Sequence, residues 1–195
     1  MDEFITLLIL VIFVFIVYLI LNKFIYYCKS EKIKSNVDGN YYLVKNTPNK
    51  QQKADTLAIL FLKINKLLDY LKSNNIKLDN QSIDYDKIKN ILNKSEIIEN
   101  ITNSDTSYTI NKGEKIIICL SNRKTDKIYD LNLLVYVLIH ELSHIINSDY
   151  GHGDKFKSIF AQLVKYAVDI GIYDYENYKE KPKEYCGLNL NTSII

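Results

Sequence analysis

Eighteen consecutive positions near the N-terminus, Phe4 to Leu21, are apolar apart from Thr6 and Tyr18, and none carries a charge. At 1.5 Å per residue a helix of this length rises ~27 Å, close to the thickness of a bilayer's hydrocarbon layer. A core helix of a globular domain would keep a polar face. A cleaved signal peptide would begin basic and end in small residues, whereas this run follows Asp2 and Glu3. Residues 1–29 are therefore expected to be a transmembrane anchor with its flank. Polar residues 30–50, with the turn signals Asp38-Gly39-Asn40 and Thr47-Pro48-Asn49, read as a linker holding one short strand at Tyr41–Val44.

Residues 51–195 carry the pattern of a single domain. Leu57, Leu60, Phe61, Ile64, Leu67, Leu68 and Leu71 recur at three- and four-residue steps, which predicts a core-facing helix over Gln52–Ser73. Weaker helical stretches are expected within 82–101. Thr106–Ile110 and Lys115–Leu120, separated by Asn111-Lys112-Gly113-Glu114, predict two short strands joined by a tight turn. A helix opens after Asp130 and runs to about Asn147. After Gly151-His152-Gly153, Asp154 is read as the cap of another helix that Gly171 closes. The Tyr-rich tail from Ile172 is read as irregular. The pattern is α+β: an N-terminal transmembrane helix, then a small, mostly helical domain with a short antiparallel sheet beside the helix at 131–147.

That helix carries the chemistry. His140 and His144 stand four residues apart, so both imidazoles point to one spot, with Glu141 beside them. Two nitrogen ligands and a carboxylate base are the equipment of a zinc hydrolase. Leu133, Leu134, Val137, Leu138, Ile139, Leu142 and Ile145 make the helix apolar nearly all round, so the polar groups would be buried and costly unless a cation satisfies them. All three histidines of the chain fall between positions 140 and 152. His152, between two glycines that let the backbone turn back, is the expected third ligand, and Zn²⁺ the expected ion. Asp149 or Asp154 is an alternative ligand, or a partner for the second N–H of a ligand histidine; a plain N-cap role is the alternative for Asp154. Tyr185, Tyr108 and Arg123 are candidate donors to a transition-state oxyanion, each with a structural role as its alternative. Cys186 is read as a small buried residue, with a ligand or inhibitory thiolate as the other possibility.

The stretch His140-Glu141-Leu142-Ser143-His144 … Gly151-His152-Gly153-Asp154-Lys155-Phe156 resembles the WLM and SprT-like metallopeptidases, small gluzincin-type zinc proteases. Over a longer span, Tyr108-Thr109-Ile110, Cys119-Leu120 and Tyr185-Cys186-Gly187 look like the pattern of membrane-anchored members from large DNA viruses. The resemblance implies a zincin-like domain in which His140, His144 and His152 hold zinc and Glu141 is the catalytic base. It also implies a strand beside the active helix, Lys115–Leu120, whose edge takes up an extended peptide. The expected activity is zinc-dependent hydrolysis of peptide bonds in a protein or peptide substrate. The alternatives are a zinc-stabilised binding module without activity and a zinc hydrolase of a non-peptide bond.

Composition adjusts this picture at three points. Formal net charge is +2, and no basic stripe marks a nucleic-acid surface, so nucleic acid is not an expected partner. Lys23, Lys29, Lys32 and Lys34 follow the apolar run and no Lys or Arg precedes it, so the domain is expected on the cytosolic side of a host or virion membrane, with residues 4–21 in the bilayer. Tyr18, Tyr26 and Tyr27 suit the interface, and Cys28 is either an acylation site or an inert juxtamembrane cysteine. Cys28, Cys119 and Cys186 cannot pair completely and none sits in a CxxC, the usage of a reducing compartment and not of a disulfide-stapled secreted domain.

Overall fold

In the computed structural model, which describes residues 2–102 and 106–195 (backbone only for Asp2 and residues 22–28), the apolar run is one helix, α1 (Asp2–Lys29). Its segment Glu3–Leu21 has a mean hydropathy of 3.4 and is entirely unburied. It is the helix long and apolar enough to cross a membrane among the described residues. The side chains of Lys23, Tyr26, Tyr27 and Cys28 lie outside the described residues.

Residues 30–50 do more than link. Strands β1 (Ser30–Lys34) and β2 (Tyr41–Lys45) form an antiparallel hairpin with Ser30 opposite Lys45, and Tyr42 and Val44 are buried. The hairpin is fastened to the next helix, α2 (Lys50–Ser73), where Asp55 accepts hydrogen bonds from Ser35 Oγ (2.9 Å) and Asn36 N (2.7 Å). The expected apolar face of α2 is the buried one, with Leu57, Leu60, Ile64, Leu67, Leu68 and Leu71 in the core. After a small hairpin, β3 (Lys77–Leu78) and β4 (Gln81–Ser82), comes α3 (Tyr85–Lys94). The helical pattern expected to reach 101 stops there. Ser95 donates its hydroxyl to Ile91 O and to Gly113 O, and the β-branched Ile97 and Ile98 enter strand β5 (Glu96–Glu99).

Strands β6 (Tyr108–Ile110) and β7 (Lys115–Ile118) and the turn between them are as expected, but their places in the sheet are not. The order is β1-β2-β5-β7-β6, with β2, β5 and β7 mutually parallel and β6 antiparallel to β7. The sheet is thus five-stranded and mixed. The edge beside the following helix is β6, not the segment Lys115–Leu120, which is internal because its apolar Ile116, Ile117 and Ile118 are buried. Helix α4 (Leu131–Ile146) starts at Asp130, whose carboxylate accepts from Asn132 N at 3.1 Å, and it packs against β6, α2 and α5 (Asp154–Asp169).

Three local expectations change. Gly153, not Asp154, is the N-cap of α5, and Asp154 is the first helical residue with its side chain in solvent. The tail contains a hairpin, β8 (Lys183–Tyr185) and β9 (Leu188–Leu190), turned by Cys186 and Gly187 at φ 52° and 87°. Cys119 and Cys186, 67 residues apart and both buried, form a disulfide that ties the end of β7 to this turn. Two of the three cysteines are therefore paired, and a separation of 67 residues leaves no local signal for the pairing.

At the end of β5 opposite the turns sits a buried ion cluster. Lys53 Nζ lies 3.1 Å from Glu99 Oε1 and 2.7 Å from Asp126 Oδ1, with the Lys53 and Glu99 side chains fully buried. Glu99 also accepts Lys45 N at 2.7 Å and Ser121 Oγ at 3.3 Å, so one carboxylate joins β2, β5 and the loop after β7. Removing one partner of such a pair strands the other charge. Lys53→Met is expected to destabilise the protein by about 3–5 kcal/mol in urea unfolding followed by circular dichroism.

Candidate metal centre

The four-residue spacing on α4 brings His140 and His144 to the same face, and the loop after the helix returns His152 to them. The three Nε2 atoms form a nearly equilateral triangle: 3.2 Å from His140 to His144, 3.1 Å from His144 to His152 and 3.1 Å from His140 to His152. Three nitrogens ~2.0–2.1 Å from one tetrahedral ion would stand roughly 3.3 Å apart, so the donor set fits zinc in spacing, number and chemistry. Lone pairs at this distance repel unless protons or a cation lie between them.

Protons are disfavoured here. Burial, reinforced by the neighbouring histidines, holds His140 down to about 3, and burial with His152 and Lys112 close by holds His144 down to about 4. The source of that apolar setting is α5. Phe156 packs against all three rings, edge-on to His140 and His152 and tilted to His144, with centroids 4.9, 4.8 and 4.4 Å away, and Phe160 adds a contact at 5.2 Å to His140. Both imidazoles are consequently neutral near pH 7, the state that ligates a metal.

Glu141 is 3% exposed and turned toward β6, where its Oε2 accepts a 2.8 Å hydrogen bond from Thr109 Oγ1. Burial pushes its carboxyl up to about 7, with the Thr109 bond pulling the other way. A cleft of about 560 Å³ opens over these groups. One wall is β6 with the residues just before it, the floor is α4, and the far wall is the β8–β9 hairpin with Tyr185, Leu188 and Leu190. Tyr185 is buried and shares a 2.5 Å hydrogen bond with Ser107 Oγ. Burial and the charge of Glu141 hold its phenol well above the usual range, against the opposing Ser107 bond, so it stays protonated.

The other candidates divide. Tyr108 and Asp149 line the cleft. The Asp149 carboxylate takes a hydrogen bond from Ser148 Oγ at 2.9 Å, and Asp154 faces Lys157 at 3.8 Å in solvent. Among the described residues neither carboxylate bonds a histidine ring. Arg123 lies outside the cleft, beside Gly187 in the hairpin turn. Thr109 and Ser107, the partners of Glu141 and Tyr185, gave no signal of their own role in the sequence. Two small hydroxyl residues two positions apart mark one face of a strand and nothing more specific.

An apolar helix presenting His-Glu-x-x-His, a third histidine beyond it and an antiparallel edge strand alongside define a zincin-like centre. A family model described as the WLM domain matches residues 107–193. The uncharacterized protein R325 of Acanthamoeba polyphaga mimivirus is 37% identical over 164 residues, covering 84% of this chain and 83% of that protein. The uncharacterized protein 042R of invertebrate iridescent virus 3 is 40% identical over 102 residues, covering 51% and 58%. Among solved structures, Wss1 from Saccharomyces cerevisiae aligns with 66% of this chain and 88% of its own, at 19% identity and a TM-score of 0.49. The chain belongs to the WLM-domain family. That is a zinc-dependent family, and the domain is of the zinc-metallopeptidase type.

The full chain purified in detergent is expected to hold about one zinc per molecule by elemental analysis. His140→Ala should lose most of it, whereas Asp154→Asn should keep it.

Proposed function

We propose that this protein is a membrane-anchored zinc peptidase in which His140, His144 and His152 hold the metal and Glu141 is the general base. The observation that carries the reading is the convergence of three Nε2 atoms next to a buried carboxylate that is hydrogen-bonded and aimed by the edge strand. A structural zinc clip has no use for such a carboxylate, which is costly to bury. When bound, zinc supplies a Lewis acid and brings a water's pKa toward neutrality.

The chain's own groups supply the rest. Strand β6 ends the sheet, and its outer edge offers backbone N–H and C=O groups to an extended peptide. Glu141 takes the proton of the attacking water and returns it to the leaving amine, with Thr109 fixing which oxygen faces the cleft. Tyr185, kept protonated, lines the cleft as a donor for the oxyanion, as Tyr108 does and Arg123 does not. The substrate class is a protein or peptide able to adopt a strand.

Helix α1 supports anchoring in a bilayer, and Lys29, Lys32 and Lys34 on its C-terminal flank support a cytosolic domain. The Cys119–Cys186 disulfide is compatible with that side because both residues are only 2% exposed, and exchange with thiols requires access to sulfur.

Glu141→Gln should retain zinc while lowering cleavage of an unfolded protein by roughly 10²–10⁴-fold, the usual worth of a general base. One zinc per chain with no cleavage by either form would favour a binding module instead. In cells, the exposed sequons at Asn80 and Asn191 should stay free of glycan. A mass shift reversed by glycosidase would put the domain in a lumen.

A further inference from the structure

We infer that Lys112, in the turn between β6 and β7, is a positioning residue for the third ligand: it fastens the end of α4 and the loop that delivers His152 into one unit. The inference rests on the zinc reading above and adds a residue outside the ligand set.

The contacts are specific. Lys112 Nζ donates to His144 O at 3.3 Å, to Asn147 O at 2.7 Å and to Asp149 O at 3.0 Å. Three ammonium protons thereby meet three carbonyls, which uses the donor capacity of a lysine in full. The same ammonium stands 4.8 Å from the ring centroid of Tyr150. His144 O belongs to the last turn of α4, where carbonyls lack helical partners and the helix dipole favours a cation. Asn147 is the C-cap of α4, and Asp149 is three residues short of His152.

Beyond Asp149 the loop is held mainly by the edge-on contact of His152 with Phe156. Gly151 has φ +80°, and a side chain there would meet open space. His152 and Gly153 are exposed as well. The loop's base has two further fastenings: the buried Asn147, which donates from Nδ2 to Asp149 O at 3.1 Å and accepts from Asp149 N at 3.2 Å, and Lys155, which donates to Ser148 Oγ at 2.7 Å. Lys112, Asn147 and Lys155 thus fix the base of a loop whose tip must place one imidazole nitrogen to within a few tenths of an ångström.

The turn is built to bring Lys112 there. Asn111, Lys112 and Gly113 are all left-handed, at φ 48°, 55° and 111°. For a lysine this is a sparsely populated state that persists only when its surroundings impose it. Gly113 permits it: a Cβ at that position would come to 2.5 Å from Ile91 Cγ2 of α3 and 3.3 Å from Ile145 Cδ1 of α4, so only glycine lets the turn lie this close to the two helices. The edge strand and the third ligand are consequently joined through one side chain.

A double-mutant cycle on the full chain in detergent tests this, with zinc affinity read by competition against a chromophoric chelator. Lys112→Met should weaken zinc binding by roughly 10- to 100-fold, the range seen when groups that orient a ligand are removed. In the His152→Ala background the same change should cost no more than about twofold, because the ligand it positions is gone. Lys112→Arg, which keeps a cation and several donors, should recover part of the loss. Equal losses from Lys112→Met with and without His152 would overturn the inference, reducing Lys112 to a general stabiliser of α4. Absence of zinc from the wild-type chain would overturn the zinc reading and this inference together.

Discussion

Three imidazole nitrogens held 3.1–3.2 Å apart in an apolar setting repel one another until a cation stands between them, and most of the domain serves to keep them there. The phenylalanines of α5 remove the usual remedy, protonation, by taking water away from His140 and His144. Glu141 shares that burial on the same helix, so its charge also lacks solvent. Two electron-rich ligands and a carboxylate on one buried helix form an arrangement that a dication relieves at every member at once. Without one, the same helix would carry a standing desolvation penalty with nothing to offset it.

The scaffold divides the task of holding this arrangement. Helix α4 fixes His140 and His144 by its own geometry, since residues four apart cannot drift relative to each other while the helix persists. His152 arrives on a loop and needs outside support. At the opposite end of the sheet the Lys53–Glu99–Asp126 cluster ties β2, β5 and the loop after β7 together. Its partners are satisfied by one another and by Thr47, Ser121 and a backbone N–H, so the cluster specifies how these segments meet. The disulfide does the equivalent for the far wall of the cleft, fixing the hairpin that carries Tyr185 to the end of β7.

Where the folding signal is local, the sequence was legible. The four-residue histidine spacing, the apolar periodicity of α2, the Asp130 cap and the Asn111–Glu114 turn each depend on residues within one or two turns of chain. Where the signal is a meeting of distant segments, it was not. Ile97 and Ile98 become strand because β2 and β7 flank them, and an apolar pair reads equally well as helix without those partners. Residues 30–50 looked like a linker because Tyr42 and Val44 have only α2 and the sheet to bury against. Cys119 and Cys186, Thr109 and Glu141, and Ser107 and Tyr185 are pairs of the same kind: each partner is ordinary alone. The slip at Asp154 is smaller, because Gly153 already has the extended conformation of a cap and Asp154 moves one place into the helix.

One strand connects these distant meetings to chemistry. An exposed edge is a hazard that proteins normally blunt or cover, yet β6 ends its sheet beside the three histidines. It is only three residues long, too short to recruit partners promiscuously, and it and the residue before it bear on Glu141 and Tyr185. Thr109 holds Glu141, and Ser107 just before the strand holds Tyr185. A chain that pairs with this edge is therefore in register with the carboxylate and the phenol, because one backbone sets all three positions. Under the hydrolytic reading, that shared register is what turns the binding of a strand into the placement of a scissile bond. A module that merely bound peptides would gain from the edge but not from either hydrogen bond.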